Sequence, residues 1–212
     1  MNTEMLVFII EIIGTVAFAS SGAMVGIRKK MDIFGVIVMA VMTAVGGGII
    51  RDLVLGIHPP NTFKDPIYVE YSVATAVILF VIFYIRKQML DSKAMFYYER
   101  IMILLDAIGL GAFTVIGVET AYEIGFVHHR FLLLFVGVIT GVGGGMIRDM
   151  MAQQIPFILV KQIYACASLI GAGVCIWLMP YHKSASMILG AVVVVIIRIL
   201  AATYRWDLPK ID

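Results

Sequence analysis

Charge is scarce in this sequence. Lys, Arg, Asp and Glu make up 14% of its 212 residues, against 61% hydrophobic. Soluble domains run at about 25% charged and about 45–50% apolar, so there are too few charges here to cover a water-facing globule. That excludes a soluble enzyme with a polar surface, and the same numbers exclude disordered, collagen-like and coiled-coil chains. The net charge of +2 is too small to predict nucleic-acid binding. Cysteine is nearly missing: Cys166 and Cys175 share one apolar segment. On a helix they lie about 13 Å apart along the axis and on opposite faces, beyond disulfide reach, and read as small apolar packers. No Walker-type, dinucleotide, serine-hydrolase or metalloprotease fingerprint occurs. The histidines lie in or beside loops, and His128-His129 near Glu123 has no metal-ligand spacing. No catalytic residue, metal site or cofactor is therefore predicted, and no enzyme activity.

Long apolar runs are what the chain has. A bilayer-spanning helix needs about 20 mostly apolar residues, and seven windows qualify: Met5–Ile27, Ile33–Leu55, Pro66–Ile85, Arg100–Val118, Phe131–Met151, Phe157–Met179 and Ala185–Tyr204. The expected fold is all-α: a polytopic membrane protein forming one transmembrane domain over 1–212. The first window has basic residues after it rather than before it, the wrong polarity for a signal peptide, so it counts as a span. With the N-terminus outside, the inner ends carry Arg28, Lys29, Lys30, Arg86, Lys87, Lys93, Arg100, Lys161, Arg205 and Lys210, and the outer side Lys64, Arg130 and Lys183. Basic residues favour the cytoplasmic side, which predicts an inner-membrane protein with N-terminus out and C-terminus in. Arg198 falls near the inner end of the last span. Tyr68, Tyr71, Tyr97, Tyr98, Tyr164, Tyr181, Tyr204 and Trp206 mostly fall near span ends, as an interfacial aromatic belt would, and Glu70 is read as interfacial.

The sequence repeats. Val45-Gly46-Gly47-Gly48-Ile49-Ile50-Arg51-Asp52 recurs as Val142-Gly143-Gly144-Gly145-Met146-Ile147-Arg148-Asp149 at an offset of 97, where Pro59 also meets Pro156 and Lys64 meets Lys161. Upstream, at an offset of 95, Glu11 meets Asp106, Gly14 meets Gly109, Phe18 meets Phe113 and Gly22 meets Gly117; downstream, at 96, Tyr68 meets Tyr164 and Ser72 meets Ser168. Three spans (5–85) thus repeat as three more (100–179), and the helix at 185–204 is extra. Because three is odd, the second copy enters the membrane from the opposite side, giving an inverted repeat with a polar pathway expected between the copies.

Two readings of the glycine triplets stand. Three glycines weaken a helix by about 0.8–1 kcal/mol each, and broken backbone at membrane depth serves ion or ligand sites. That reading predicts interruptions of the second and fifth spans at Gly46–Gly48 and Gly143–Gly145. The other reading is close helix packing. Arg51, Asp52, Arg148 and Asp149 within spans cost on the order of 10 kcal/mol together if left in lipid, so they are paired or wetted. Neighbours on a helix point about 100° apart. Pairing across the pseudo-two-fold, or with Glu11 and Asp106, is therefore expected ahead of Arg51 with Asp52. These charges either lock the copies together or line a path, and Glu11 and Asp106 are candidate pathway carboxylates.

The doubled Gly-Gly-Gly-x-x-Arg-Asp, in spans two and five of a seven-span inverted repeat, resembles the prokaryotic branch of the trimeric intracellular cation (TRIC) channels, relatives of which are also labelled glycine transporters. The resemblance covers nearly the whole chain. It implies a homotrimer in lipid, each protomer carrying its own pore for monovalent cations, chiefly K⁺. It also implies that Gly46, Gly47, Gly48, Gly143, Gly144 and Gly145 line the pore with Arg51, Asp52, Arg148 and Asp149. The animal branch has a Lys-Glu-Val motif tied to lipid and calcium regulation; this sequence has none, so no such regulation is carried over. A carrier for a small zwitterion such as glycine is the alternative, since opposed half-helix dipoles suit a carboxylate and an ammonium equally well.

Overall fold

A computed structural model of the chain describes residues 3–86, 92–160 and 163–206, without the side chains of 92–99 and 160. The side chains of Lys87, Lys93, Tyr97, Tyr98, Lys161 and Lys210, which entered the expectations above, lie outside what is described. Nine helices and no strand occur among the described residues: α1 (Thr3–Arg28), α2 (Ile33–Val54), α3 (Asn61–Lys64), α4 (Ile67–Ile85), α5 (Ser92–Glu123), α6 (Arg130–Met151), α7 (Phe157–Val160), α8 (Tyr164–Leu178) and α9 (Lys183–Tyr204). Six are long and apolar enough to cross a membrane, and α8 is a shorter apolar helix. The protein is a seven-helix membrane protein with α9 outside the repeat.

The sixth span is shorter than expected. Phe157–Met179 divides into the single turn α7 and the 15-residue α8, with Ile163 left-handed at the start of α8 (φ 47°). At 1.5 Å per residue α8 is about 22 Å long. The matching segment of the first copy is built the same way, as α3 then α4. α3 and α7 start at an offset of 96, so Pro60, not Pro59, is the structural counterpart of Pro156.

The interruptions at Gly46–Gly48 and Gly143–Gly145 do not occur: α2 and α6 are helical from end to end. The reason lies across the contact between α2 and α6. A methyl group on Gly47 would land on the Thr140 carbonyl oxygen, and one on Gly144 on the Thr43 carbonyl oxygen; Thr43 and Thr140 are themselves repeat partners. Added to Gly46, a methyl would meet Ile147 Cδ1 at 2.5 Å, and added to Gly143 it would meet the Gly47 Cα at 3.1 Å. The first two glycines of each triplet are therefore packing residues that bring two backbones together. Lipid offers helices no hydrophobic drive to associate, so such close approach is how they hold.

The same symmetry runs through α1 and α5. Phe18 and Phe113 meet with ring centroids 5.4 Å apart, Gly14 making room for Phe113 and Gly109 for Phe18. Gly22 admits Thr43 and Met39, and Gly117 admits Thr140 and Val136. Each threonine hydroxyl is spent on its own helix, donating to the Met39 or Val136 carbonyl at 2.6 Å. Within each copy α1 packs on α2 and α5 on α6, and α9 lies against α8 and α5.

Candidate functional site

The Arg-Asp pairs lie in the last turns of α2 and α6, not at mid-span, yet all four side chains are buried. Adjacent residues do pair here: Arg51 Nε donates to Asp52 Oδ1, and Arg148 Nε to Asp149 Oδ1, both at 2.8 Å. The 100° between neighbouring Cβ vectors is overcome by the length of the arginine stem, which curls back over its own turn. Each aspartate's second oxygen faces the next element. Asp52 Oδ2 accepts from the Asn61 N–H at 2.7 Å and Asp149 Oδ2 from the Phe157 N–H at 2.9 Å. Every pair thus joins the end of a long helix to the start of the short one after it, satisfying an N–H that would otherwise lack a helical partner.

From there the copies diverge. In the first, α1, α2, α3 and α4 surround a cavity of about 320 Å³. Glu11 and Thr15 come from α1, Gly48 and Arg51 from α2, Asn61, Thr62 and Lys64 from α3, and Asp65 and Tyr68 from its far side; Phe113 and Thr120 of α5 complete the lining. The Tyr68 hydroxyl hydrogen-bonds Glu11 Oε2. Gly48, the third glycine of its triplet, faces this space; the atom nearest to a methyl there would be Arg51 Nη2, at 3.9 Å. No cation lies within ion-pair distance of Glu11 among the described residues; Arg51 and Lys64 are the cations of the lining, against Glu11 and Asp65, with Asp52 paired to Arg51.

In the second copy the equivalent groups are closed over. Arg148 Nη1 donates to Asp106 Oδ1 at 2.6 Å and to Ser21 Oγ of α1 at 2.5 Å, the pairing with Asp106 expected from the repeat. The pairing of Arg51 with Glu11 does not form, because Arg51 turns to Asp52 and Glu11 to Tyr68. Gly145 faces Tyr164 and Asp106. Tyr164 is 3% exposed and Tyr68 is half-buried against Glu11, so neither belongs to the aromatic belt, unlike Tyr71, Tyr181, Tyr204 and Trp206, which are exposed. Arg198 of α9 is 1% exposed, with Nη2 3.9 Å from Asp106 Oδ2. Sequence reasoning assigned it to the membrane boundary. Its position within an uninterrupted apolar run was the signal, since an intramembrane charge marks a site by default.

Known proteins share this fold. The crystal structure of a prokaryotic TRIC channel in 0.5 M KCl is similar with a TM-score of 0.86 and 34% identity, covering 97% of this chain and all of that one. The TRIC trimeric intracellular cation channel orthologue from Rhodobacter sphaeroides matches with a TM-score of 0.83 and 31% identity over 93% of this chain and 97% of its own. The chain belongs to the TRIC family. A family model described as "Glycine transporter" matches residues 8–84 and 103–180, one copy of the repeat each. Among relatives by sequence, the UPF0126 inner membrane protein YadS of Escherichia coli (strain K12) is 39% identical, with 97% of this chain and 96% of that protein covered. A UPF0126 membrane protein of Deinococcus radiodurans is 37% identical over 82% of this chain and 76% of its own.

Proposed function

We propose that this protein is a monovalent-cation channel of the inner membrane, preferring K⁺, assembled as a homotrimer with one pore per protomer, and not an enzyme. The copies at 5–85 and 100–179 are the two halves of that pore, and 185–204 is an added helix within the same domain 1–212. The path runs past the third glycines, Gly48 and Gly145, and past Arg51, Asp52, Arg148, Asp149, Glu11 and Asp106. Gly46, Gly47, Gly143 and Gly144 hold the two halves together instead of lining it. The carrying observation is the cavity of the first copy: it is lined by hydroxyls, an amide, Glu11, Asp65, Arg51 and Lys64, and with Asp52 beside Arg51 three carboxylates stand against two cations. A polar vestibule with surplus negative charge concentrates cations. Similar solved structures are described as cation channels, one of them as trimeric, and the relative in Escherichia coli is named an inner membrane protein.

Purified protein in a planar bilayer under opposed K⁺ and Na⁺ gradients is the test. Ohmic unitary currents reversing toward the K⁺ equilibrium potential are expected. The cavity also places the Glu11 carboxylate and the Arg51 guanidinium on facing elements, which suits a zwitterion, and the matching family model is described as a glycine transporter. Saturable glycine uptake into vesicles, with no unitary current, would replace the channel by a carrier.

A further inference from the structure

One helix has no counterpart in the repeat, and it fills the place where symmetry would put a second vestibule. In the first copy Thr15, Val45 and Tyr68 line the cavity. Their repeat partners Leu110, Val142 and Tyr164 pack instead against Val194 of α9, all within one buried cluster. Arg198 follows Val194 by four residues and so shares its face of α9. Its guanidinium lies 4.5 Å over the Tyr164 ring and 3.9 Å from Asp106 Oδ2, an oxygen with no hydrogen-bond partner. The contact is therefore stacking plus charge attraction, without a hydrogen bond between Arg198 and that oxygen.

The charges complete the comparison. In the first copy Glu11 and Asp52 face Arg51, and Lys64 and Asp65 line the same cavity. The second copy has Asp106 and Asp149 in the same places, and Arg148 in the place of Arg51. There Arg198 adds a second cation beside Asp106, whereas no described cation lies within ion-pair distance of Glu11. We propose that Arg198 is a wedge: it closes the second half of the pathway by occupying the cation's position between Asp106 and Tyr164, and its withdrawal turns that half into a vestibule like the first. The inference takes what passes from the channel reading above, but the wedge itself is a matter of access and stands on geometry alone.

Side-chain access tests it without requiring conduction. In full-length protein carrying Cys166→Ser and Cys175→Ala, single cysteines are placed by Val45→Cys, Val142→Cys or Val36→Cys. Val45 lines the open cavity at 6% exposed, Val142 is its partner at 2% exposed, and Val36 is fully buried in the cluster of the first copy that also holds Val45. Modification by a small cationic thiosulfonate is followed with Arg198 present and after Arg198→Ala. The substitution should speed reaction at Val142→Cys about tenfold or more, as local opening would, and leave Val45→Cys and Val36→Cys unchanged. An unchanged rate at Val142→Cys in folded, correctly sized protein overturns the wedge. So does an equal acceleration at Val36→Cys, which would mean general loosening. If Arg198→Ala does not fold, Arg198→Gln takes its place, and the same rates uphold or overturn the wedge. Unitary current should rise several-fold in parallel. Faster Val142→Cys reaction with no current from any variant would uphold the wedge and bring down the channel reading instead.

Discussion

Beside the Gly48 backbone the nearest atom to an added methyl is 3.9 Å away; beside Gly47, one residue earlier, the methyl would overlap a carbonyl oxygen. The two positions should respond oppositely to the same change. Gly48→Ala gains about 0.8–1 kcal/mol of helix propensity and puts its methyl into the cavity, so it should fold at least as well as the parent and alter unitary conductance. Gly47→Ala forces α2 from α6 and should cost about 1–3 kcal/mol or more, read as lower thermal stability in detergent. Equal effects at both positions would contradict the division of labour within the triplet. The aspartates separate in the same way. Arg51 keeps 9% of its side chain exposed at the vestibule, whereas Arg148 keeps 1%. Asp149→Ala removes one of the two carboxylates that hold Arg148 in a dry site, where loss of a partner typically costs about 3–5 kcal/mol. Asp52→Ala leaves Arg51 where water can reach it. Thermal unfolding should show the larger loss for Asp149→Ala, and the reverse order would refute the assignment of a dry and a wet copy.

At the scale of the helix, the glycine triplets show what a sequence can and cannot say. Glycine tells where a backbone is free to leave the helix or to touch a neighbour, and the two options look identical in the one-dimensional record. The structure takes the second because a helix in lipid keeps every hydrogen bond it can satisfy internally. The carbonyls of Thr43 and Thr140 fill the space a side chain would take. The seven spans, the inverted repeat and the pairing of Arg148 with Asp106 were legible, since they rest on apolar length and on matched residues. Pairing of Arg51 with Asp52 was not, because helix geometry fixes Cβ directions and leaves the arginine stem free. The ends of α2 and α6 carry a further comparison. Both close with a left-handed residue, Gly56 at φ 72° and Gln153 at φ 55°, whose successors donate to the Asp52 and Asp149 carbonyls at 2.8 and 2.9 Å. Glycine takes that conformation freely, while a side chain there costs about 1–2 kcal/mol. Gln153→Gly should therefore raise stability by about 0.5–1 kcal/mol, part of the relief being offset by the freer unfolded chain. A lower melting temperature would show that the glutamine side chain contributes more than its backbone costs.

Across the whole molecule the asymmetry between copies becomes an asymmetry between membrane faces. Because the repeat is inverted, the end of α2 and the end of α6 lie toward opposite sides, so the vestibule and the closed cluster do as well. The basic residues decide which side is which. Among described side chains, Arg28, Lys29, Lys30, Arg86, Arg100 and Arg205 are exposed at one set of helix ends, and Lys64 and Arg130 at the other. Lys183 at that second set is held by Glu119 and Glu123 at 2.8 and 2.5 Å, which removes it further from the count of free positive charge. Segments rich in Lys and Arg stay in the cytoplasm, so the vestibule beside Lys64 should open outward and the cluster around Arg198 should face the cytoplasm. Lys64→Cys and Arg86→Cys, each in protein without Cys166 and Cys175, would be treated with a membrane-impermeant maleimide. Lys64→Cys should label in cells whose inner membrane is intact, and Arg86→Cys only once that membrane is opened. The opposite pattern would turn the molecule over, placing the open half in the cytoplasm and the Arg198 wedge outside, with every contact described above unchanged.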